Sequence, residues 1–460
     1  MTTKYHLSYI LVLLISLGTF LGQPLAVNAS ENITTDIRSN SIQFSQPQIL
    51  YSDLVVAPTG AYVTIWGQNI SEDSTFSCGN SPCEIISFSN DNNHPPHGNQ
   101  PARQKIVVRY FSGSGITLNG YNSLPFEVNQ GKIWEATPSD NIASILDKMN
   151  YGDVLYLRGG TYSSVDPKSY GYRKGQGAII WATEKRDGLA VIGYPGERVI
   201  LDVSSGLRAF DTVGNITNWT IANIECSGAG WAISNNAGKC IGASRIGSRE
   251  NFRVVGIYAH DLGLNGTGAF GEFSYTKNLF ILGNFTDKTG TPNKKTHVIY
   301  HGGRGVNDNI NIDYNRIRNH VGRRGIQIYG HKPGESMTNL RIRYNHIENN
   351  FGTDAILLSF SDSNSSVPRS DPKRNWIKNA LIKGNTIYSS SGPGVAIRAA
   401  IADIIIENNV IYNNNSSIYI DFVKSAKINN NCLDKAPSIY QNTSVYLSNN
   451  KINYPHCLLR

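Results

Sequence analysis

The residues best suited to chemistry lie in one short stretch, THVIYHGGRGVNDNINIDYNRIRNHVGRRGIQIYGH, from Thr296 to His331. It brings together three imidazoles that flank strand-like runs (His297, His301, His331), two phenols (Tyr300, Tyr329) and three guanidinium groups (Arg304, Arg323, Arg324). Residues 291–346 hold five of the chain's ten histidines, and ten Lys/Arg against three Asp/Glu. An imidazole that titrates near ~6.5 can accept a proton at ordinary pH. A guanidinium grips a carboxylate through two parallel hydrogen bonds and stabilises negative charge that develops beside it. A phenol beside arginines has its pKa lowered and can hand a proton to a departing oxygen. These groups suit abstraction of a proton next to a carboxylate, followed by expulsion of an oxygen leaving group. Lys295, Gln327, Arg398 and Asp354 are the expected substrate-binding residues around them. Whether the base is His297/His301 or Tyr300 depends on which side of the HVIYH run faces out, because side chains alternate along a strand.

The elements that must position these groups form a repeat. NLFILGNFT, NINIDYNRI, NLRIRYNHI, NALIKGNTI, DIIIENNVI, AKINNNCL and VYLSNNKI are short alternating runs that close on Asn284, Asn315, Asn345, Asn385, Asn409, Asn431 and Asn450. Strand-bearing repeats of this length indicate a solenoid, in which each turn buries its apolar face only against stacked neighbours. The closing asparagines suit tight turns because Asn tolerates the left-handed conformation, and stacked amides can bond to one another as a ladder. Their role is structural. A second column of strands, HVIYHG, RGIQIYG, AILLSF, GVAIRA and SIYIDF, places Ile326, Ile328, Ile356, Leu358, Val395, Ile397, Ile418 and Ile420 inward. Gln327, Tyr329, Leu357, Ser359, Ala396, Arg398, Tyr419 and Asp421 are then outward. The polar segment from Asp362 to Asn375 interrupts the rhythm and reads as a loop able to wall a groove.

Bulk properties place the chain outside the cytoplasm. Residues 1–29 have a lysine (Lys4), a short apolar run and a small-residue site at Val27-Asn28-Ala29, as a secretory signal does. Residues 30–48 read as a polar linker. The full chain carries a net charge of +8, and its excess is concentrated in residues 291–346. In an exported protein that favours an acidic polysaccharide partner. No nucleic-acid motif occurs, and no stretch after the signal is apolar enough to span a membrane. The chain is expected to be secreted or periplasmic, and monomeric. Six cysteines favour disulfides, with the local pairs 78–83, 226–240 and 432–457 preferred over the other connectivities.

Two resemblances add to this reading. APTGAYVTIWGQN, followed some 60 residues later by NSLPFEV, resembles an immunoglobulin-like IPT/TIG domain, which implies a small β-sandwich over residues 49–130 acting as spacer or binding module. A helix beginning at Ser139, followed by YGDVLYLRGGTYS and the asparagine repeats, resembles the right-handed parallel β-helix of the pectate-lyase-like superfamily. This implies an all-β solenoid over residues 131–460, its first rung covered by the helix, and activity on polysaccharides. A lyase that cleaves a uronate-containing glycan by β-elimination is the first expectation. A glycoside hydrolase using Asp354, or a non-catalytic glycan-binding solenoid, are the alternatives. The sequence departs from the superfamily's hydrolases in lacking their Asp cluster around RIR (Arg316-Ile317-Arg318), and from mannuronan epimerases in lacking D-P-H-D. Grouped carboxylates for calcium cannot be assembled, so no cofactor and no required metal are expected.

Overall fold

The computed structural model describes residues 46–96, 101–120, 122–169, 177–230, 238–243, 246–263, 269–292, 295–332, 334–360, 377–398, 403–440 and 444–453. The signal and most of the linker, the 362–375 insertion and Cys457 lie outside them. Over the described residues the chain is almost entirely β. The described residues between 133 and 452 wind into a right-handed parallel β-helix whose coils contribute to three parallel sheets of thirteen, eleven and ten strands. The helix at its start spans Ile142–Leu146, buries Ile142 and Leu146, and is capped by Asn141 rather than Ser139.

The alternation seen in the sequence fixes what lies inside. Ile326, Ile328, Ile356, Leu358, Val395, Ile397, Ile418 and Ile420 are all fully buried in one continuous core. The asparagine ladder forms at the corner between the thirteen- and eleven-stranded sheets. Each amide donates to the next one's carbonyl, as in Asn284 to Asn315 at 2.9 Å, Asn315 to Asn345 at 3.0 Å and Asn345 to Asn385 at 2.9 Å. One expectation is corrected here. The ladder asparagines are not the left-handed residues; the residues before them are, including Tyr314 (φ 61), Tyr344 (φ 55), Asn408, Asn430 and Gly283. The amide must point into the corner to meet its neighbour, so the turn's strain falls on the preceding residue.

Residues 48–129 form a four-stranded and a five-stranded sheet around Tyr51, Val63, Ile65, Ile106, Val108, Tyr110 and Phe126. Their core continues into the outer face of the thirteen-stranded sheet at Val154, Tyr156, Ile192, Val255 and Leu282. The Tyr156 hydroxyl donates to Tyr62 O (2.7 Å) and accepts from Tyr62 N (2.8 Å), and Arg253 donates to Ser52 O at 2.7 Å. Cys78–Cys83 is a disulfide and Cys432 is disulfide-bonded. The expected 226–240 bridge is absent: both cysteines are buried free thiols, and burial together with the neighbouring Cys226 raises the Cys240 thiol pKa.

Candidate functional site

The ten-stranded sheet carries most of the expected site residues. Its consecutive strands Phe270–Phe273, His297–His301, Arg324–Gly330, Ile356–Phe360, Pro393–Arg398 and Ser416–Asp421 stack as parallel neighbours. Ile299 pairs with Ile326, Tyr300 with Gln327 and His301 with Ile328. The direction of HVIYH follows: Tyr300 lies in the outward column with Gln327, Leu357, Ala396 and Tyr419, and His301 in the inward column. His301 is 1 % exposed, its Nε2 lies 2.7 Å from Thr276 Oγ1, and its Nδ1 accepts from Gly303 N. Burial lowers its pKa to about 3, so it is a neutral structural imidazole at ordinary pH.

Two contacts centre on Tyr300. Its hydroxyl lies 3.1 Å from His331 Nε2, on the next coil. Its ring lies 5.2 Å from that of His297. His297 pairs in register with Arg324; burial, then the Arg324, His320 and Arg323 charges, hold its pKa well below the usual imidazole value. Its buried Nδ1 has no hydrogen-bond partner among the described residues. Tyr329 is half-buried and packs edge-on against His331 at 5.2 Å. The His331 backbone N–H donates to Glu335 Oε2 at 2.5 Å, which anchors the turn that carries the imidazole.

The cationic part of the site is organised by a carboxylate. Asp354 is fully buried between Arg324 Nε (3.1 Å) and Arg398 Nη2 (2.8 Å). Arg324 also donates to Gln327 Oε1 at 2.9 Å, so it reaches the residue stacked on Tyr300. Arg398 lies over the Tyr419 ring at 5.3 Å. Two arginines against one aspartate leave a net positive charge, and a single buried carboxylate holds both in place. Arg323 and Lys295 are exposed at the sheet's entrance, and Arg304 is half-buried in the turn leaving His297–His301. The other arginines of the basic stretch serve different sheets: Arg343 pairs with Asp313, Arg316 with Glu348, and Arg318 with Asp287.

Sequence reasoning missed Glu272. Gly271 pairs with Tyr300 but Phe273 with His301, so Glu272 is the extra residue of a bulge beside the site. Bulges re-aim side chains. Glycine is required at 271, because a Cβ there would lie 2.6 Å from Tyr300 O. FGEFS breaks the strand pattern with a glycine and a charge, the one sequence signal that could have drawn attention to it. Among the described residues, no three His, Cys, Asp or Glu side chains are placed to share a metal ion.

No protein-family model matches the chain, and no curated protein matches it. Among solved structures it is similar to PfbA, a surface adhesin of Streptococcus pneumoniae, with a TM-score of 0.37 and 9 % identity over 68 % of this chain and 87 % of that one. It is similar to the periplasmic alginate epimerase AlgG, with a TM-score of 0.33 and 11 % identity over 69 % and 83 %. It is also similar to the pectate lyase Pel9A, with a TM-score of 0.32 and 13 % identity over 70 % and 78 %. Likeness at this level bears on no residue of the site, whose chemistry must be argued from its own geometry.

Proposed function

We propose that this chain is an exported polysaccharide lyase that cleaves a uronate-containing glycan by β-elimination on the outer face of the ten-stranded sheet. The observation that carries the reading is the Tyr300 hydroxyl 3.1 Å from His331 Nε2, stacked beside Gln327, whose oxygen is held by Arg324. Arg324 and the Gln327 amide hold the uronate carboxylate, with Arg323 and Arg398 as neighbouring cations. His331 takes the phenolic proton, and the Tyr300 oxygen removes the proton α to the carboxylate. The C–H electron pair enters the carboxylate as an enolate, which Arg324 stabilises. The enolate collapses to a carbon–carbon double bond as the glycosidic oxygen leaves, and Tyr300 protonates that oxygen from the same face. His297 packs against Tyr300 as a neutral support. Residues 49–130 serve as an IPT/TIG-like spacer.

The test is to incubate the protein with a panel of uronate polymers and follow ultraviolet absorbance of the unsaturated product. New reducing ends without that absorbance would move the assignment to hydrolysis. Retention of the polymers with neither signal would move it to glycan binding.

A further inference from the structure

The turns that lead from the eleven-stranded into the ten-stranded sheet carry two expected site cations that stay exposed, Lys295 and Arg323. Neither side chain has an ion pair or hydrogen bond among the described residues. Elsewhere on the solenoid Arg198, Arg316, Arg318 and Arg343 are each held by a carboxylate. Lys295 and Arg323 belong to successive coils, and Arg323 N donates to Thr296 O, beside Lys295, at 2.8 Å. On the next coil Phe351 is 55 % exposed. Its neighbour Gly352 lies against Arg323: a Cβ there would come 2.4 Å from Arg323 O and 1.9 Å from Gly322 O. The coils touch backbone to backbone at this corner, which fixes the spacing of the stems that carry the three side chains. Behind them, Arg324 and Arg398 share the single carboxylate of Asp354. Burial lowers the Arg324 pKa, and the charges of Arg323 and Arg398 lower it further, against the pull of Asp354. With Lys295 and Arg323 unpaired as well, the corner carries positive charge that its described carboxylate does not balance.

We infer that Lys295, Arg323 and Phe351 form an accessory subsite on this corner, which binds a second uronate unit of the glycan cleaved at Tyr300. The choice of ligand rests on the glycan-cleaving reading above. A guanidinium takes a carboxylate through two parallel hydrogen bonds, and an ammonium adds a point charge beside it. An inorganic anion would need nothing more. A single exposed phenylalanine is common on protein surfaces, but beside two unpaired cations it adds an apolar face to an anion site. A pyranose ring that bears a carboxylate matches both, with a C–H face for Phe351 and an anion for the cations. All three side chains are exposed, so the polymer reaches them from solvent with no rearrangement of the protein. Phe351 touches no reacting atom; it acts on the binding of long chains and not on the chemical step.

The test uses a homopolyuronate and the same polymer with its carboxylates reduced to alcohols. The readouts are retardation in polymer-containing native gels, relative to polymer-free gels, and KM and kcat. The wild type should be retarded by the polyuronate and much less by the reduced polymer. Arg323→Gln and Lys295→Gln should each weaken retardation about three- to tenfold, as loss of an exposed charged contact does. Phe351→Ala should weaken it about threefold; it removes no charge, so a weaker overall attraction between protein and polymer cannot account for the effect. It should also raise KM for the polymer with kcat and Tm kept. Lys427→Gln, which removes an exposed lysine of the thirteen-stranded sheet, should change none of these. Equal weakening by Lys427→Gln, wild-type retardation of Phe351→Ala, or no retardation of the wild type would each overturn the inference. Retardation that depends on Arg323 and Phe351 with no unsaturated product would sink the lyase reading and leave the subsite standing. Unsaturated product at wild-type KM, with wild-type retardation in all three corner variants, would do the reverse.

Discussion

Tyr300 and His331 are separated by 31 residues yet their polar atoms meet at 3.1 Å, because one turn of the solenoid returns the chain to the same face. If this pair moves the proton, Tyr300→Phe should lower kcat by about 10²–10⁴-fold, the span of general acid–base catalysis, with KM changing little. The other imidazoles make a different prediction. Burial holds His301 near about 3 and His320 near about 4, against 6.5 for a free histidine. The folded state thus binds fewer protons than the unfolded chain between those values. Their contribution to stability is complete above pH ~6.5 and is lost as pH falls through the folded values. Unfolding free energies from urea titrations should fall steadily from pH 6.5 to 4, by on the order of several kcal/mol in total. A flat profile would show that these imidazoles are accessible to protons. From sequence alone His301 and His297 are equivalent. Both share the parity of inward Ile299, and what separates them is their partners: His301 bonds Thr276 and Gly303, whereas the ring of His297 lies beside that of Tyr300.

At the level of the strand and turn, much was legible. Asparagines at the ends of NINIDYN and NLRIRYN mark the ladder corner, and alternation sorts the inward isoleucines from the outward polar residues. The first asparagine of the same runs forms a second ladder. Asn278, Asn309, Asn339 and Asn379 are left-handed (φ 54–56), and the amide of Asn309 bonds Asn278 at 2.8 Å, as that of Asn379 bonds Asn339. The two sets should differ in energetic weight. Asn345 is fully buried, and its amide bonds Ile312 O at 2.8 Å besides both ladder neighbours. Asn345→Ala orphans several buried groups and should cost about 3 kcal/mol or more. Asn339→Gly, partly exposed and kept in a permitted backbone conformation, should cost less than about 1 kcal/mol. Equal losses in urea titrations would contradict this ranking. The bulge at Glu272 was not legible, since one extra residue in one coil is visible only when two strands are laid side by side.

Across the whole molecule, the N-terminal sheets and the solenoid share a core. Arg103 donates to Tyr314 O at 2.7 Å, and the rings of Tyr51, Tyr314 and Tyr344 stack in series at 5.4 and 5.1 Å. The sequence suggested two domains, because APTGAYVTIWGQN and NSLPFEV resemble one family and the chain from Ser139 onward another; it could not show that aromatic residues on the outer sheet face, such as Tyr156, are covered by the first unit. Calorimetry should therefore record one cooperative transition for both. Tyr156→Phe, which strands Tyr62 N and Tyr62 O, should lower its midpoint, and two resolved transitions in the wild type would contradict a shared core.

The central claim is that Tyr300 drives β-elimination on an acidic glycan. Its most direct test is the absorbance of unsaturated product from a uronate polymer, compared between wild type and Tyr300→Phe at equal Tm. The account predicts a steady rise for the wild type and almost none for the variant. An equal rise for both, or none for either on any uronate polymer, would contradict it.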